Sequence, residues 1–429
     1  MKILLAPWGD PTRWSEISYS MDGERIKSIS TLSILSKKYD KVIILAMDSL
    51  IDIRPDKRSY LYDEYMGTIA KIQESGIKGY GELVESVHNF IKLSLKKIGI
   101  ENGEIVVLPS FGSPGGGIRF EGSPEDYVSV GLWKIEKIIE NAGEDIEEVS
   151  IDLTNGMNFI TALTTNICNM VTDIELMRNS RHIEIITEYF NSDPYSPSLK
   201  DGDFYIRSVS KIIKDRIDLP YLTIMTGSKK FLGFKSTESG LRVDINEINR
   251  NYDEIVLNVL KAIYYPLPLV LKYYAEQSIK ENILDIWESA ITVSNGQIKR
   301  NVFINPNKLY GLLFTNLVCG KIDKEMSLDS ISKDSNLIYK KISALSQVLI
   351  MKEIRNIKEI ALPKLKRSGK ESELYKKLIT DDYTKYSAPN KRILIAHAGF
   401  QNDYIRIHKD GRLEYEIDVK EILNEMGKK

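Results

Sequence analysis

Cysteine is nearly absent. Cys168 and Cys319 are the only two in 429 residues, too few for a disulfide framework or a four-thiolate zinc site. Histidine is also scarce: His88, His182, His397 and His408. No two of them stand three or four residues apart, and neither His-Glu-x-x-His nor Cys-x-x-Cys occurs, so no metal site is expected. No apolar run of about 18 residues appears, which leaves no span for a membrane. The best candidate, 255–274, is broken by Asn258, Lys261, Pro266, Pro268 and Lys272. The opening MKILLAPWGD turns polar too soon for a signal peptide. A reducing, cytoplasmic location is the expectation. Nor does one charge dominate: 59 Lys+Arg face 60 Asp+Glu, and 42% of residues are hydrophobic. That excludes a disordered chain and a uniformly basic nucleic-acid coat protein.

What charge there is lies unevenly. Residues 101–160 hold twelve acids against three bases, whereas 351–400 hold twelve bases against six acids. The two stretches then handle different things, although solvated helix faces would give the same asymmetry. The first 190 residues alternate strand and helix patterns. Strands are read at 2–7, 41–47, 104–109, 149–154 and 183–189, and helices at 24–39, 59–75, 82–98, 126–141 and 157–172. Residues 41–47 (KVIILAM) have the continuous apolar run of a strand buried on both faces. This rhythm predicts an α/β fold with a Rossmann-like, doubly wound parallel sheet, whose ligands bind beyond the carboxyl ends of the strands.

A turn-rich stretch at 191–202 marks a boundary. Residues 191–250 read as a small connector with room for a winged-helix-like fold, a short strand at 203–209 and a strand pair around Gly233 and Gly240. Helical spacing dominates 251–429, at 251–274, 275–292, 307–319 and 336–360, and predicts an all-α bundle. Near the end, 404–408 and 412–417 flank Lys409-Asp410-Gly411 as a hairpin, in which Asp-Gly is expected to supply the two positive-φ residues of a tight turn. Asp418 caps a last short helix.

Four features carry candidate chemistry. Arg392 and His397 stand five residues apart, where Pro389-Asn390 can begin a helix and Gly399 end one. Steps of about 100° put them about 140° apart around the axis. Both can still reach a phosphate near the helix's N-terminal half, where a guanidinium and the macrodipole favour an anion. A buried histidine near a helix end would satisfy the same pattern. The loop Pro7-Trp8-Gly9-Asp10-Pro11-Thr12-Arg13-Trp14 follows the first strand. Its tryptophans can stack on bases and its amides can meet phosphate, or it is a rigid turn with two packing tryptophans.

The third feature is Thr154, Asn155, Gly156 and Asn158, where a strand hands over to a helix. They offer a hydroxyl, amides and N–H groups to a phosphate or base, or a plain cap. The fourth, Gly112-Ser113-Pro114-Gly115-Gly116-Gly117, fits a flexible loop beside a ligand as well as a phosphate cradle, and lacks the P-loop lysine. His88, His182 and His408 read as structural or solvated.

Together, WGDPTRW at 8–14, DLTNGMN at 152–158 and RILIAHAGF at 392–400 resemble the CRISPR-associated ribonucleases of type III systems. These join an N-terminal Rossmann-like CARF sensor to a C-terminal HEPN nuclease domain. The resemblance implies CARF over 1–190, a connector over 191–250 and an all-α HEPN domain with a terminal β-hairpin over 251–429. It implies that Arg392 and His397 are the nuclease pair. Gly9, Asp10, Thr12, Arg13, Trp14, Thr154, Asn155, Gly156 and Asn158 would face a cyclic oligoadenylate, expected to be cyclic tetra-adenylate, as allosteric activator. Ile393 stands where the family commonly has a polar residue, and Asn155 where it often has histidine.

The implied reaction is metal-independent cleavage of single-stranded RNA. The ribose 2′-OH attacks the adjacent phosphate and leaves a 2′,3′-cyclic phosphate and a 5′-OH. Arg392 would stabilise the charge and His397 move protons. No cofactor or metal is implied. The partners are RNA, the activator and a second copy, in a homodimer or a higher assembly of dimers. Two other classes stay open on the residues alone. A nucleotide-sensing DNA-binding transcriptional regulator would need a basic recognition helix in 191–250, where none is clear. A dinucleotide-dependent oxidoreductase would need G-x-G-x-x-G after the first strand, which is missing.

Overall fold

The computed structural model describes residues 1–156, 158–179, 184–194, 202–219, 224, 229–235, 245–294, 296–380 and 388–427. Two compact units emerge. One comprises Met1–Asp215, Lys230–Ile245 and Glu281–Leu309; the other comprises Arg216–Lys229, Asn246–Lys280 and Tyr310–Lys429.

In the first unit the strands are β1 (Lys2–Trp8), β2 (Ile17–Met21), β3 (Glu24–Ser28), β4 (Lys41–Met47), β5 (Gly103–Leu108), β6 (Arg119–Glu121), β7 (Glu148–Asp152), β8 (Ile185–Ser192) and β9 (Asp203–Lys214). All of these but β6 form an eight-stranded sheet in the order β3-β2-β9-β8-β7-β1-β4-β5. The core from β8 to β5 is parallel. β1 and β4 are buried along nearly their whole length because helices cover both faces of such a sheet. Tyr80–Lys97, Pro124–Ala142 and Asn158–Arg178 are the long covering helices. The second starts on a Ser123/Asp126 capping box and stops at Gly143 in a left-handed conformation. From β1 the chain winds one way to β4 and β5, then the other way to β7 and β8. The winding therefore switches between β1 and β7, where open α/β sheets bind ligands.

Several stretches differ from the sequence reading. Residues 24–39 are not one helix: β2 and β3 form a hairpin, with Met21 opposite Glu24, and only Leu32–Leu35 is α-helical. Asp22 and Gly23 take φ of 51° and 83°, the two-residue turn that Asp-Gly favours. β9 runs on to Lys214, antiparallel to β8, so this part of 191–250 belongs to the main sheet. Gly240 lies outside the described residues, as does His182, and Leu232–Phe234 pairs with Val302–Ile304.

The helix read over 275–292 is confined to Ile283–Ser289. Ile291–Ser294 and Gln297–Arg300 then form an antiparallel pair, and the second lies parallel to β6. Arg300 anchors this pair. Its fully buried guanidinium pairs with the equally buried Asp48 and donates to the Ser110 carbonyl at 2.8 Å. Asp48 also accepts from the Tyr80 hydroxyl at 3.0 Å and from Ser110 N–H and Oγ–H at 2.8 and 2.6 Å. Both carboxylate oxygens of Asp48 therefore find neutral donors besides Arg300, which offsets part of the cost of holding its charge out of water.

The second unit is helical, with Leu257–Tyr264, Pro268–Tyr273, Leu328–Asp334, Ala344–Asn356, Leu362–Ser368 and Lys391–Ala396. Three widened π turns, Tyr252–Val256, Ser335–Tyr339 and Ile357–Ala361, interrupt the longer runs. Ile405–His408 pairs with Leu413–Tyr415 and with Ser372–Leu374. The hairpin closes over Lys409-Asp410-Gly411 as expected, but with one positive-φ residue and not two. His408 N–H donates to the Arg412 carbonyl at 2.9 Å, and within this loop Gly411 alone has positive φ, 89°. Asp418 caps Val419–Gly427 through Lys420 N–H at 2.8 Å. Cys168 and Cys319 are both buried and in no disulfide, and burial pushes each thiol up to about 12.

Candidate functional site

A cavity of about 800 Å³ opens in the first unit beyond the carboxyl ends of β1, β4, β7 and β8. After β1, Asp10 organises the loop. Its Oδ1 accepts from Thr12 N–H at 3.0 Å and Thr12 Oγ–H at 2.6 Å, and its Oδ2 accepts from Arg13 Nε at 3.0 Å. Thr12 is thereby buried and is not on the cavity wall, while Gly9, Asp10, Arg13 and Trp14 are. Trp14 stands edge to face against Trp8, with ring centres 5.1 Å apart.

The loop after β7 is tied to this one by Gly9 N–H, which donates to the Asn155 carbonyl at 3.0 Å. Thr154, Asn155 and Gly156 line the cavity. Behind them the buried Asp152 accepts from Thr31 Oγ–H at 2.5 Å and Thr154 N–H at 3.0 Å, and burial pushes its carboxyl up. Tyr19, also on the wall, bonds Asn155. Burial first, then the Asp152 charge, push its phenol well above its ordinary value and keep it protonated. A Cβ on Gly156 would come within 2.6 Å of Thr161 Cγ2 and 3.2 Å of the Pro7 carbonyl, so only glycine allows this approach. Asn158 begins the next helix, and its side chain lies outside the described residues.

The glycine-rich loop is held by one carboxylate. Asp52 Oδ2 accepts from Gly117 N–H at 2.8 Å and Ile118 N–H at 2.9 Å, while Pro114 and Gly115 line the cavity. A Cβ on Gly115 would fall 2.3 Å from the Asp52 carbonyl oxygen. The acids on the wall are thus engaged: Asp10 by Arg13, Asp52 by amides and Asp193 by Arg207 at 2.7 Å. Arg13 and Arg54 also border the space, which makes it hospitable to an anion. Tyr19, Ser49, Asp52, Arg54 and Asp193 were not singled out from the sequence. The carboxyl end of 41–47 is the signal that points to Ser49 and Asp52.

In the second unit Asn390 caps Lys391–Ala396, its Oδ1 accepting from Arg392 N–H at 3.0 Å and Ile393 N–H at 3.2 Å. Ala398 and Gly399 then take φ of 48° and 78° and turn the chain inward, over buried Leu394 and Phe400. Arg392 is exposed, and its guanidinium has no partner among the described residues. A recess bordered by Asn390, Lys391, Arg392, Ile395 and Glu425 lies beside it. The His397 side chain is 51% exposed, so it is not a core histidine. Its Nδ1 lies 3.1 Å from Oε1 of Glu353, which is 3% exposed on Ala344–Asn356. Glu353 was also missed in the sequence; its signal is an acid within the apolar stripe of Ile350, Ile354 and Ile357.

Among the described residues no group of three or more His, Cys, Asp or Glu side chains could hold a metal ion. His408 Nε2 lies 3.2 Å from Glu414, and His88 is half-buried on Tyr80–Lys97. Among those same residues no helix is long and apolar enough to cross a membrane.

Comparison with known proteins adds to this geometry. The family model for the CARF domain of the CRISPR system endoribonuclease Csx1 matches residues 3–194, and the model for its HEPN domain matches 343–419. The cavity described above lies in the first match, and Glu353, Arg392 and His397 lie in the second. A CRISPR system endoribonuclease Csx1 from Methanocaldococcus jannaschii is 28% identical over 456 residues, covering 96% of this chain and 89% of that protein.

Proposed function

The chain belongs to the CRISPR system endoribonucleases that join a CARF to a HEPN domain, and from that premise we propose that it is a metal-independent single-strand ribonuclease switched on by a cyclic oligoadenylate. The observation that carries this reading is the placement of Arg392 in the first turn and His397 at the C-cap of one short helix, both exposed, within the HEPN match. The amides of Arg392 and Ile393 are spent on Asn390, so phosphate charge falls to the exposed Arg392 guanidinium. Two N–H groups of that planar fork suit the non-bridging phosphate oxygens. His397 takes the proton of the 2′-OH or delivers one to the leaving 5′-oxygen.

One imidazole does one of those tasks at a time, and a homodimer supplies two. Exposed Leu345, Val348 and Ile393 in the second unit agree with a face that meets a second copy. Cyclic tetra-adenylate would occupy the CARF cavity, its bases against Trp14 and its phosphates against Arg13, Arg54 and the loop amides. A two-fold ring also suits a two-fold dimer.

The test is cleavage of unstructured RNA in EDTA, with and without cyclic tetra-adenylate, for wild type and His397→Ala. Activator-dependent cutting to 2′,3′-cyclic phosphate ends is expected, and loss in the variant. A wild type inert in both conditions, or a fully active His397→Ala protein, overturns the reading.

A further inference from the structure

We infer that Glu353 is a positioning residue for His397: it holds the imidazole in the Nδ1–H tautomer and keeps Nε2 free for the proton transfer. The inference rests on the reading of His397 as the proton-transfer residue.

Along Ala344–Asn356 and into the π turn that follows, the inward stripe runs through Ile350, Ile354 and Ile357, all buried. Glu353 lies within this stripe and is 3% exposed. Removing a carboxylate from water costs several kcal/mol, and a leucine here would pack without that cost. Stability alone therefore does not account for an acid at this position. Among the described residues its carboxylate has one hydrogen-bond partner, Nδ1 of His397 at 3.1 Å, from a segment 44 residues away. Tyr375 is the neighbouring phenol. Burial, and then the Glu353 charge, push it up to about 12, so it adds no second anion there.

The consequence for His397 follows from hydrogen-bond chemistry. An ionised carboxylate only accepts, so Nδ1 must carry the hydrogen. In the neutral ring the lone pair is then on Nε2, which has no partner among the described residues and belongs to a half-exposed side chain. The buried contact also limits rotation of the ring. When Nε2 gains a proton, the nearby negative charge stabilises the imidazolium. A carboxylate behind a histidine performs these tasks in unrelated hydrolases and metal sites. Glu353 acts through His397 and need not touch RNA.

The experiment combines ¹⁵N NMR of ring-labelled histidine with kinetics on the full chain. Spectra of wild type and His397→Ala assign the His397 signals at a pH where the ring is neutral. The Nδ1–H tautomer is expected, and an Nε2–H ring in the wild type overturns the inference. For Glu353→Gln, kcat should fall about 10- to 100-fold while KM for RNA stays within about twofold. The tautomer signal should broaden or invert while the circular dichroism melt still shows a folded protein. An unchanged kcat in Glu353→Gln, with His397→Ala inactive, sinks the positioning role alone. If His397→Ala keeps full activity, the nuclease reading itself fails. Should Glu353→Gln not fold, the wild-type tautomer still decides.

Discussion

Arg300→Met tests whether the strand pair after Ile283–Ser289 is held to the first unit by a buried charge. Arg300 and Asp48 are both fully buried and paired, and Arg300 also donates to the Ser110 carbonyl. Methionine fills much of the same volume but leaves the Asp48 carboxylate without its counter-charge. Breaking one side of a buried pair costs about 3–5 kcal/mol. Asp48 would keep three neutral donors, two from Ser110 and one from Tyr80. The expected loss is therefore near the lower end, about 3 kcal/mol.

Asparagine at position 48 removes the stranded charge and can still accept from Ser110. Asp48→Asn combined with Arg300→Met should accordingly lose at least about 1 kcal/mol less than Arg300→Met alone. The assay is urea unfolding followed by tryptophan emission. Trp8, Trp14, Trp133 and Trp287 all lie in the first unit, so the signal reports that unit. A loss below about 1 kcal/mol in Arg300→Met, or a double variant no better than the single, would refute the reasoning.

Two further outcomes are expected. Trp14→Ala should weaken cyclic tetra-adenylate binding about 5- to 150-fold by calorimetry, from the loss of about 1–3 kcal/mol of stacking; unchanged affinity would remove Trp14 from the ligand's contacts. The second concerns pH. Glu136 and Glu175, both buried, share the single guanidinium of Arg178. Burial first pushes Glu136 up from 4.5 to about 7, and burial followed by the Glu136 charge pushes Glu175 well up. The folded state thus holds a proton that the unfolded state has lost between these values. This stabilisation is complete below about 4.5 and disappears as pH rises through about 7. The urea midpoint should fall from pH 5.5 to 7.5 by more in wild type than in Glu136→Gln, and equal slopes would contradict the shift.

Much was legible where the physics is local. β1 and β4 announce themselves as short continuous apolar runs, because a strand covered on both faces has no polar side to show. The long helices of the first unit follow from apolar spacing and caps such as Ser123 and Gly143. Asn390, Arg392, His397 and Gly399 sit within ten residues of one another, so cap, guanidinium, imidazole and terminator could be read as one segment. Even locally, competing patterns mislead. Ile26 and Ile29 match helical spacing, but the Asp22-Gly23 turn draws 24–28 into a hairpin instead.

Tertiary structure decided what depends on distant partners. Ile291–Ser294 and Gln297–Arg300 carry β-branched side chains that a helix tolerates, and they become strands because β6 and Asp48 are there to receive them. Arg300 and Asp48 are 252 residues apart, and no spacing rule links them. Thr12 looks like its neighbours in the loop, yet its bond to Asp10 turns it away from the cavity that Arg13 and Trp14 border. Glu353 is one acid among 60 until the fold sets it against His397. By itself the sequence determined which segments bury their faces and which residue types stand ready for RNA chemistry, because periodicity and capping act within a few turns of chain. Only the folded chain decided which carboxylates are buried and which side chain each one faces, because burial and pairing depend on segments brought together from far apart.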